Sequence, residues 1–463
     1  MAKQLSEEKK QRMRTEKLST LIPAMAVPTI LAQLITTIYN IVDTFFVSTL
    51  GTNATAAVGV NSSLERTITL IGSLIGAGAC SYISRLLGAK RDDEANRVLS
   101  TSFFTGLGLG ILFTVAGRMV VHPMVYWLGA TDECAAYAVQ YANYVLYAAP
   151  FMIGSFILNM CLRSEGSATF AMIGIGFGGI LNCFLDPLFI YTFGLGVAGA
   201  SMATAISKTI SFCILLYPYI RKKSAVQIAL RKIQFVMEDV REVLTIGSAS
   251  FLRSACSVIA SVTINRIAGS YSTAALAALS ISNRVMEFPF AVILGFGQGY
   301  QPVAGFNWGA RLWKRVKESL DFVLKISFIG ALIVGGVIAL AATPIVHVFN
   351  AQADADVLAL GVFCIRLQCA ALFAHAINSI INMFFAGIGK AGYALLMSTA
   401  RQGYIFVPVA LIAPKLFGVT GVASAQAIAD FVTLVISIPL IKKAYSMIGE
   451  KIKTEPEAAE TVS

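Results

Sequence analysis

The sequence predicts an all-α membrane protein: twelve transmembrane helices arranged as two six-helix bundles about a pseudo-two-fold axis along the membrane normal. Three observations lead there. The 463 residues are 56% hydrophobic and only 13% charged, with a mean hydropathy of +0.73, more apolar surface than a soluble domain of this length needs. The apolar residues gather into twelve runs long enough to cross a bilayer. Motifs of the first half return in the second at a nearly constant shift.

The twelve runs cover 18–44, 56–79, 97–121, 135–160, 168–191, 196–219, 244–267, 275–302, 319–345, 357–386, 392–414 and 418–441. A charged leader, 1–17, precedes them and is expected at the membrane surface. It is no cleavable signal, because it is polar and the apolar run after it is too long for one. The expected divisions are then an N-terminal bundle over 18–219, a basic linker over 220–243, a C-terminal bundle over 244–445 and a tail over 446–463.

The net charge of +11 is topological rather than a mark of nucleic-acid binding. Lys3, Lys9, Lys10, Arg12, Arg14 and Lys17 precede the first run, and Arg221, Lys222, Lys223, Arg231, Lys232 and Arg241 fill the linker. Further groups flank the second–third connection, the eighth run and the twelfth. The alternate connections, near Gly51, Thr131, Gly194, Ser270 and Ala353, are almost free of Lys and Arg. That asymmetry puts both termini in the cytoplasm. The eight Cys have no metal-ligand spacing and read as small apolar fillers.

The repeat is specific. Gly51-Thr52-Asn53-Ala54-Thr55-Ala56-Ala57 echoes Gly269-Ser270-Tyr271-Ser272-Thr273-Ala274-Ala275. Gly88-Ala89-Lys90 echoes Gly309-Ala310-Arg311, Asn159-Met160 echoes Asn382-Met383, and Gly196, Gly199 and Ala203 echo Gly418, Gly421 and Ala425. Six spans repeated in the same orientation make parallel repeats, the architecture of a rocking carrier.

Polar residues inside the spans mark the candidate site. Asp186 is the only ionisable side chain of the run 168–191, and a carboxylate at that depth costs roughly 2.5–3.5 kcal/mol on insertion scales. Asn182 lies one turn before it on the same side, and Pro187 follows, loosening the backbone around the Cys183 carbonyl. In the first span, Gln33, Thr36, Tyr39, Asn40 and Asp43 form a polar stripe on one face, with Pro23 and Pro28 predicting a kink below it. Glu65 and Arg66 are adjacent, and their opposite charges are expected to compensate each other or other partners. Thr204 is followed a turn later by Lys208. Asp43, Asn182, Asp186 and Thr204 have no like counterpart in the second half, where Ser261, Tyr404, Pro408 and Gln426 stand. Arg284 and Glu287, three apart, share a helix face and are expected to pair.

Val42-Asp43-Thr44 with Leu50-Gly51, Asn182-x-x-x-Asp186-Pro187, and Gln298-Gly299-Tyr300-Gln301-Pro302 with Gly305-Phe306-Asn307-Trp308-Gly309-Ala310 resemble the multidrug and toxic compound extrusion (MATE) family. The resemblance covers nearly all of residues 15–445 and is nearest its bacterial MepA-like and DinF-like branches. It implies two six-helix bundles around a cleft, no enzymatic activity, and efflux of organic cations or drugs against entering protons or Na⁺. It also implies a first-bundle cation site at Asp43, Asn182, Asp186 and Thr204, and an acidic position at Glu287. Where other branches carry an acid in the seventh span, this chain reads Arg253-Ser254-Ala255-Cys256-Ser257, so a second-bundle sodium site is not expected.

The substrate cleft is expected to be lined by Gln33, Thr36, Tyr39, Asn40, Asn159, Met160, Arg284 and Glu287. No cofactor is expected beyond H⁺ or Na⁺, no nucleic-acid partner, and the chain is expected to work as a monomer among lipids. A flippase for a lipid-linked substrate is the rival reading, and it would need arginines such as Arg253, Arg284 and Arg366 facing the cleft. Gly174-x-Gly176-x-x-Gly179 matches a dinucleotide fingerprint only on paper, since no strand precedes it, and reads as helix packing.

Overall fold

A computed structural model describes residues 2–349 and 355–455, and its long helices follow the apolar runs above. Among the described residues all regular elements are helical: α1 (Ala2–Thr15), α2 (Leu18–Ser48), α3 (Thr52–Gly88), α4 (Asp92–Met119), α5 (Val121–Trp127), α6 (Asp132–Ser164), α7 (Ala168–Pro187), α8 (Gly196–Ile220), α9 (Met237–Tyr271), α10 (Thr273–Gly309), α11 (Trp313–Leu340), α12 (Ala342–Phe349), α13 (Ala355–Gly387), α14 (Ala391–Thr399) and α15 (Phe406–Thr454). Eleven segments are long and apolar enough to cross a membrane. The last of them, Ala391–Thr454, is 64 residues long and is broken at Gly418, whose φ of 60° and ψ of −136° are not helical. The expected connection at Ala353 and residues 456–463 of the expected tail lie outside the described residues.

The repeat is written into the backbone. Lys90 and Arg311 both adopt positive φ (61° and 57°), as do Gly166 and Gly389 (82° and 80°) and Gly196 and Gly418 (54° and 60°). Asn159 donates to the Ala171 carbonyl at 2.9 Å and its repeat mate Asn382 to that of Ala394 at 2.7 Å, so each ties the start of the next helix to the same place. In the first half α6 is central, packed on α3, α4 and α8; in the second α13 is central, packed on α10, α11 and α15.

Between the halves, α2 packs on α10, and α3 packs on α9 and α10. Since α9 repeats α2 and α10 repeats α3, these contacts exchange under the repeat. They are close because they are made of glycine. A Cβ on Gly247 would lie 1.7 Å from the Leu74 carbonyl oxygen, and one on Gly78 would lie 1.9 Å from that of Val243. Gly295 and Gly299 lie against Ile30 and Ala26 of α2 in the repeat-related contact, less tightly, a Cβ there falling 2.6 and 2.5 Å from the Cα atoms. In lipid, where apolar surface gives helices little reason to associate, small residues permit such approach.

Polar bonds reinforce the same end of the molecule. Arg97 on α4 holds Asp239 on α9 at 2.7 Å, Tyr82 on α3 donates to Asp239 at 3.2 Å, and Arg85 reaches Glu242 at 3.0 Å. At the far end the facing helices expose apolar side chains, among them Ile38, Ile41, Phe45, Ile259 and Val262.

Several expectations need correction. The leader docks on protein rather than lying free on a membrane: Lys9 bonds Ser167 at 2.7 Å, Lys10 pairs with Asp92 at 2.7 Å, Met13 is buried, and Arg315 caps the carbonyl of Glu16. Lys10 finds a carboxylate and Lys9 a hydroxyl on the first half, and the second half reaches back through Arg315, contacts that a bilayer surface would not supply. α2 stays helical through Pro23 and Pro28, so a bend there is a kink within the helix and not an irregular turn. The run 97–121 is split into α4 and α5, and 319–345 into α11 and α12. α9 begins at Met237, inside the expected linker, because Glu238 and Asp239 favour a helix N-terminus.

Candidate functional site

The four residues singled out in the first half come together where α2, α7 and α8 meet. α7 packs on α2 and α8 through Gly174, Gly176, Gly178 and Gly179, which touch Leu215, Ile35, Ser211 and Tyr39. That is the work of the supposed dinucleotide motif. Close approach brings the polar stripe of α2 against Asn182 and Asp186, both buried. Asn182 donates to Asp186 Oδ1 at 3.0 Å and to Thr204 Oγ1 at 3.4 Å. The carboxyl groups of Asp43 and Asp186 lie within hydrogen-bonding reach of each other. Past Pro187 the helix widens into a π turn over Leu188–Thr192, which is where the loosened backbone was expected, though displaced by one turn.

Three buried oxygens here have no hydrogen-bond partner among the described residues: Asp43 Oδ1, Asn182 Oδ1 and Asp186 Oδ2. Buried acceptors are rarely left so. Two carboxyls in contact cannot both stay charged without a cation, so the arrangement has the donors to receive a proton or a small cation.

Three further residues belong to this site and were misjudged in the sequence. Glu65 does not pair with Arg66: it accepts a bond from the buried Tyr141 hydroxyl at 3.2 Å. Adjacent residues on a helix point different ways, so that pairing was never available. Arg66 is instead exposed, in the field of Glu287 from the other half. Lys208, for which the sequence offered no role, donates to the Tyr39 hydroxyl at 2.6 Å and lies 4.6 Å from that ring's centre. Its charge is felt by both Glu65 and Asp43. Tyr141 gave no signal beyond being an aromatic with a polar tip in an apolar run.

The expected cleft residues divide. Gln33 donates to Gln298 of α10 at 3.1 Å, across the junction of the halves. Thr36 bonds back to the Ala32 carbonyl, Tyr39 turns to Lys208, and Asn40 is exposed. Asn159 and Met160 are buried rather than on an open wall: both contact the Arg163 guanidinium, which also donates to Gln298 at 2.7 Å. Their place at the inner end of the central helix α6 puts them inside the packing. Arg284 and Glu287 are exposed; Glu287 lies in the fields of Arg284 and of Arg66, so it faces two cations rather than one partner.

In the second half the corresponding place is a closed ion pair. Arg401 holds Asp430 at 2.5 and 3.4 Å and lies 4.7 Å from the Phe290 ring centre. His375 packs edge-on to the same ring and meets Ser379 at 3.4 Å, a satisfied buried histidine.

Comparison with known proteins agrees with this geometry. The sequence model of the MatE family matches residues 28–188 and 249–412, one stretch in each half of the repeat. The chain belongs to the MATE family. It is 27% identical over 406 residues to the multidrug export protein MepA of Staphylococcus saprophyticus, covering 88% of this chain and 89% of that one. It is 29% identical, at the same coverage, to MepA of Staphylococcus aureus. Among solved structures it resembles a multidrug resistance MATE family transporter of the MOP superfamily in its outward-facing conformation, with 26% identity, a TM-score of 0.89, and coverage of 96% of this chain and 98% of that one. A MOP superfamily transporter from Pyrococcus furiosus, reported with a binding pocket of reverse polarity, aligns with 26% identity, a TM-score of 0.88 and the same coverage. As a MATE protein with eleven apolar helical segments, it is an integral membrane protein and not an enzyme.

Proposed function

We propose that this MATE protein is a secondary-active exporter of organic cations or drugs, driven by exchange with protons or Na⁺. Twelve crossings form two six-helix lobes, Ala391–Thr454 crossing twice on either side of Gly418, with both termini cytoplasmic. The reading is carried by the meeting of Asp43 and Asp186, beside Asn182 and Thr204, with three unpartnered oxygens. Two acids are kept together in an apolar lobe at a cost that a bound cation would offset.

The lobe contacts support alternating access. Glycine packing and the ion pairs of Asp239 and Glu242 hold one end shut, while helices of the two halves leave apolar side chains exposed at the other. Binding a cation at the acids neutralises their mutual repulsion, lets α2 and α7 repack, and weakens the grip on a cationic substrate. The membrane potential adds about 2.3 kcal/mol per charge per 100 mV. The MepA relatives are named as multidrug exporters, which supports the substrate class. Of the arginines a flippase would need in the cleft, Arg366 turns instead to the Ala339 carbonyl, which speaks against that rival.

The test is efflux of a fluorescent organic cation from proteoliposomes, with pH and Na⁺ gradients imposed separately. Asp186→Asn is expected to abolish gradient-driven efflux in a folded protein. Full efflux by that variant refutes the assignment.

A further inference from the structure

Lys208 is a buried cation that the transport cycle above does not use. It lies one turn after Thr204 on α8, so its arm reaches the same region as the coupling acids. Each packed neighbour presents a group to it or to its carboxylates: Tyr39 and Asp43 from α2, Glu65 from α3, Tyr141 from α6, and Cys183 and Asp186 from α7. The ammonium is fixed rather than mobile, held by the Tyr39 hydroxyl at 2.6 Å and by the face of its ring.

A metal cation at Asp43 and Asp186 would need two things from this lobe: uncompensated negative charge, and enough oxygens to replace its water. The ammonium reduces both. It cancels one of the three negative charges that Asp43, Glu65 and Asp186 can carry, and it occupies the Tyr39 hydroxyl. What remains uncommitted is three oxygens, Asp43 Oδ1, Asn182 Oδ1 and Asp186 Oδ2. Among the described residues no three acids, histidines or cysteines converge as a metal site, so Glu65 does not complete the set. A proton needs far less, since two touching carboxyls can share one.

We propose that Lys208 is the specificity-determining residue of the coupling site, a tethered cation that excludes Na⁺ from Asp43 and Asp186 and leaves protons as the coupling ion. This rests on the exchange mechanism proposed above and deepens it. The neighbouring pair Arg401–Asp430 shows the contrast: Asp430 is the repeat mate of Lys208, and there the charge is sealed in a bidentate pair with no oxygen left for an ion.

The experiment is equilibrium binding of radiolabelled Na⁺ to the purified full chain, on wild type, Lys208→Met, Lys208→Gln, Lys208→Arg and Lys208→Met combined with Asp186→Asn. Removing a fixed charge beside the site is expected to tighten Na⁺ binding at least about tenfold in both neutral variants. Lys208→Arg, which keeps the charge, is expected to match wild type, and the added Asp186→Asn to abolish the gained binding. A structural role alone would not move ion selectivity while sparing the arginine variant. Wild type binding Na⁺ as tightly as the neutral variants, or Lys208→Arg behaving like them, overturns the proposal. Wild-type proteoliposomes with no efflux under either gradient would overturn the transport reading instead, a separable result.

Discussion

Replacing Gly247 by Ala should unlatch the closed end of the molecule. A Cβ there would sit 1.7 Å from the Leu74 carbonyl oxygen and 2.7 Å from its carbon, where ordinary contact begins at 3.4 Å. The obstacle is backbone, so no rotamer relieves it; α3 and α9 must part by more than an ångström. Overpacking of this kind costs about 1–3 kcal/mol. Ala is the better helix former by about 1 kcal/mol, but α9 is helical whichever end is open, so that gain cancels between the two states. The ratio of closed to open molecules at this end should therefore fall by about 5- to 150-fold. Spin labels at the exposed Lys90 and Arg241, in a background without native cysteines, report the separation by pulsed electron resonance. A longer distance component is expected to grow in Gly247→Ala, and none in Gly59→Ala, where a Cβ meets nothing within 4 Å. Unchanged distances in Gly247→Ala would refute the idea that glycine contact sets this closure.

Four further outcomes follow from the same coordinates. Arg401→Met strands the buried Asp430 and should cost about 3–5 kcal/mol in detergent unfolding, while adding Asp430→Asn restores most of it. Asn382→Ala removes the amide's bond to the Ala394 carbonyl, about 0.5–1.5 kcal/mol; Asn159→Ala should cost more, since Asn159 also holds Arg163. Gly418→Ala imposes a Cβ on a backbone region nearly reserved for glycine, about 1–3 kcal/mol, whereas Gly330→Ala in open helix should be neutral or mildly stabilising. Glu165, beyond the end of α6, is raised from its ordinary pKa by burial, against the opposing pull of Lys9 and of bonds from Ser224, Ala225 and Val226. Its protonated form is thus favoured by folding, so its contribution is full below its ordinary pKa and is lost as pH rises through the raised one. Unfolding across that window should show the decline in wild type and not in Glu165→Gln.

Much of the site was legible because membrane spans make polar residues conspicuous. Asp186 stands alone in an apolar run, and Asn182 falls four residues before it; helical spacing then puts both on one side. The stripe from Gln33 to Asp43 was legible by the same rule. Its division was not: Gln33 reaches Gln298 in the other half, whereas Tyr39 turns to Lys208. Periodicity gives a face, and the neighbours on that face come from helices distant in sequence. The partner of Glu65 stayed open between Arg66 and others for that reason, Tyr141 being 76 residues away. Asn159 and Met160, expected in the cleft, are buried and tied to Arg163, a contact that polarity alone could not reveal.

By itself the sequence determined the helical membrane class, the internal repeat and the acids of the first half, because hydropathy, periodicity and repeat spacing are local properties of a chain in lipid. The tertiary structure alone decided which charges face one another. Lys208 joined Tyr39, Arg401 closed on Asp430, and Gly78 and Gly247 pressed one helix onto another through backbone contact. The reason is range: backbone hydrogen bonding and burial are settled within a helix, whereas Coulomb and contact energies depend on separations that only packing fixes.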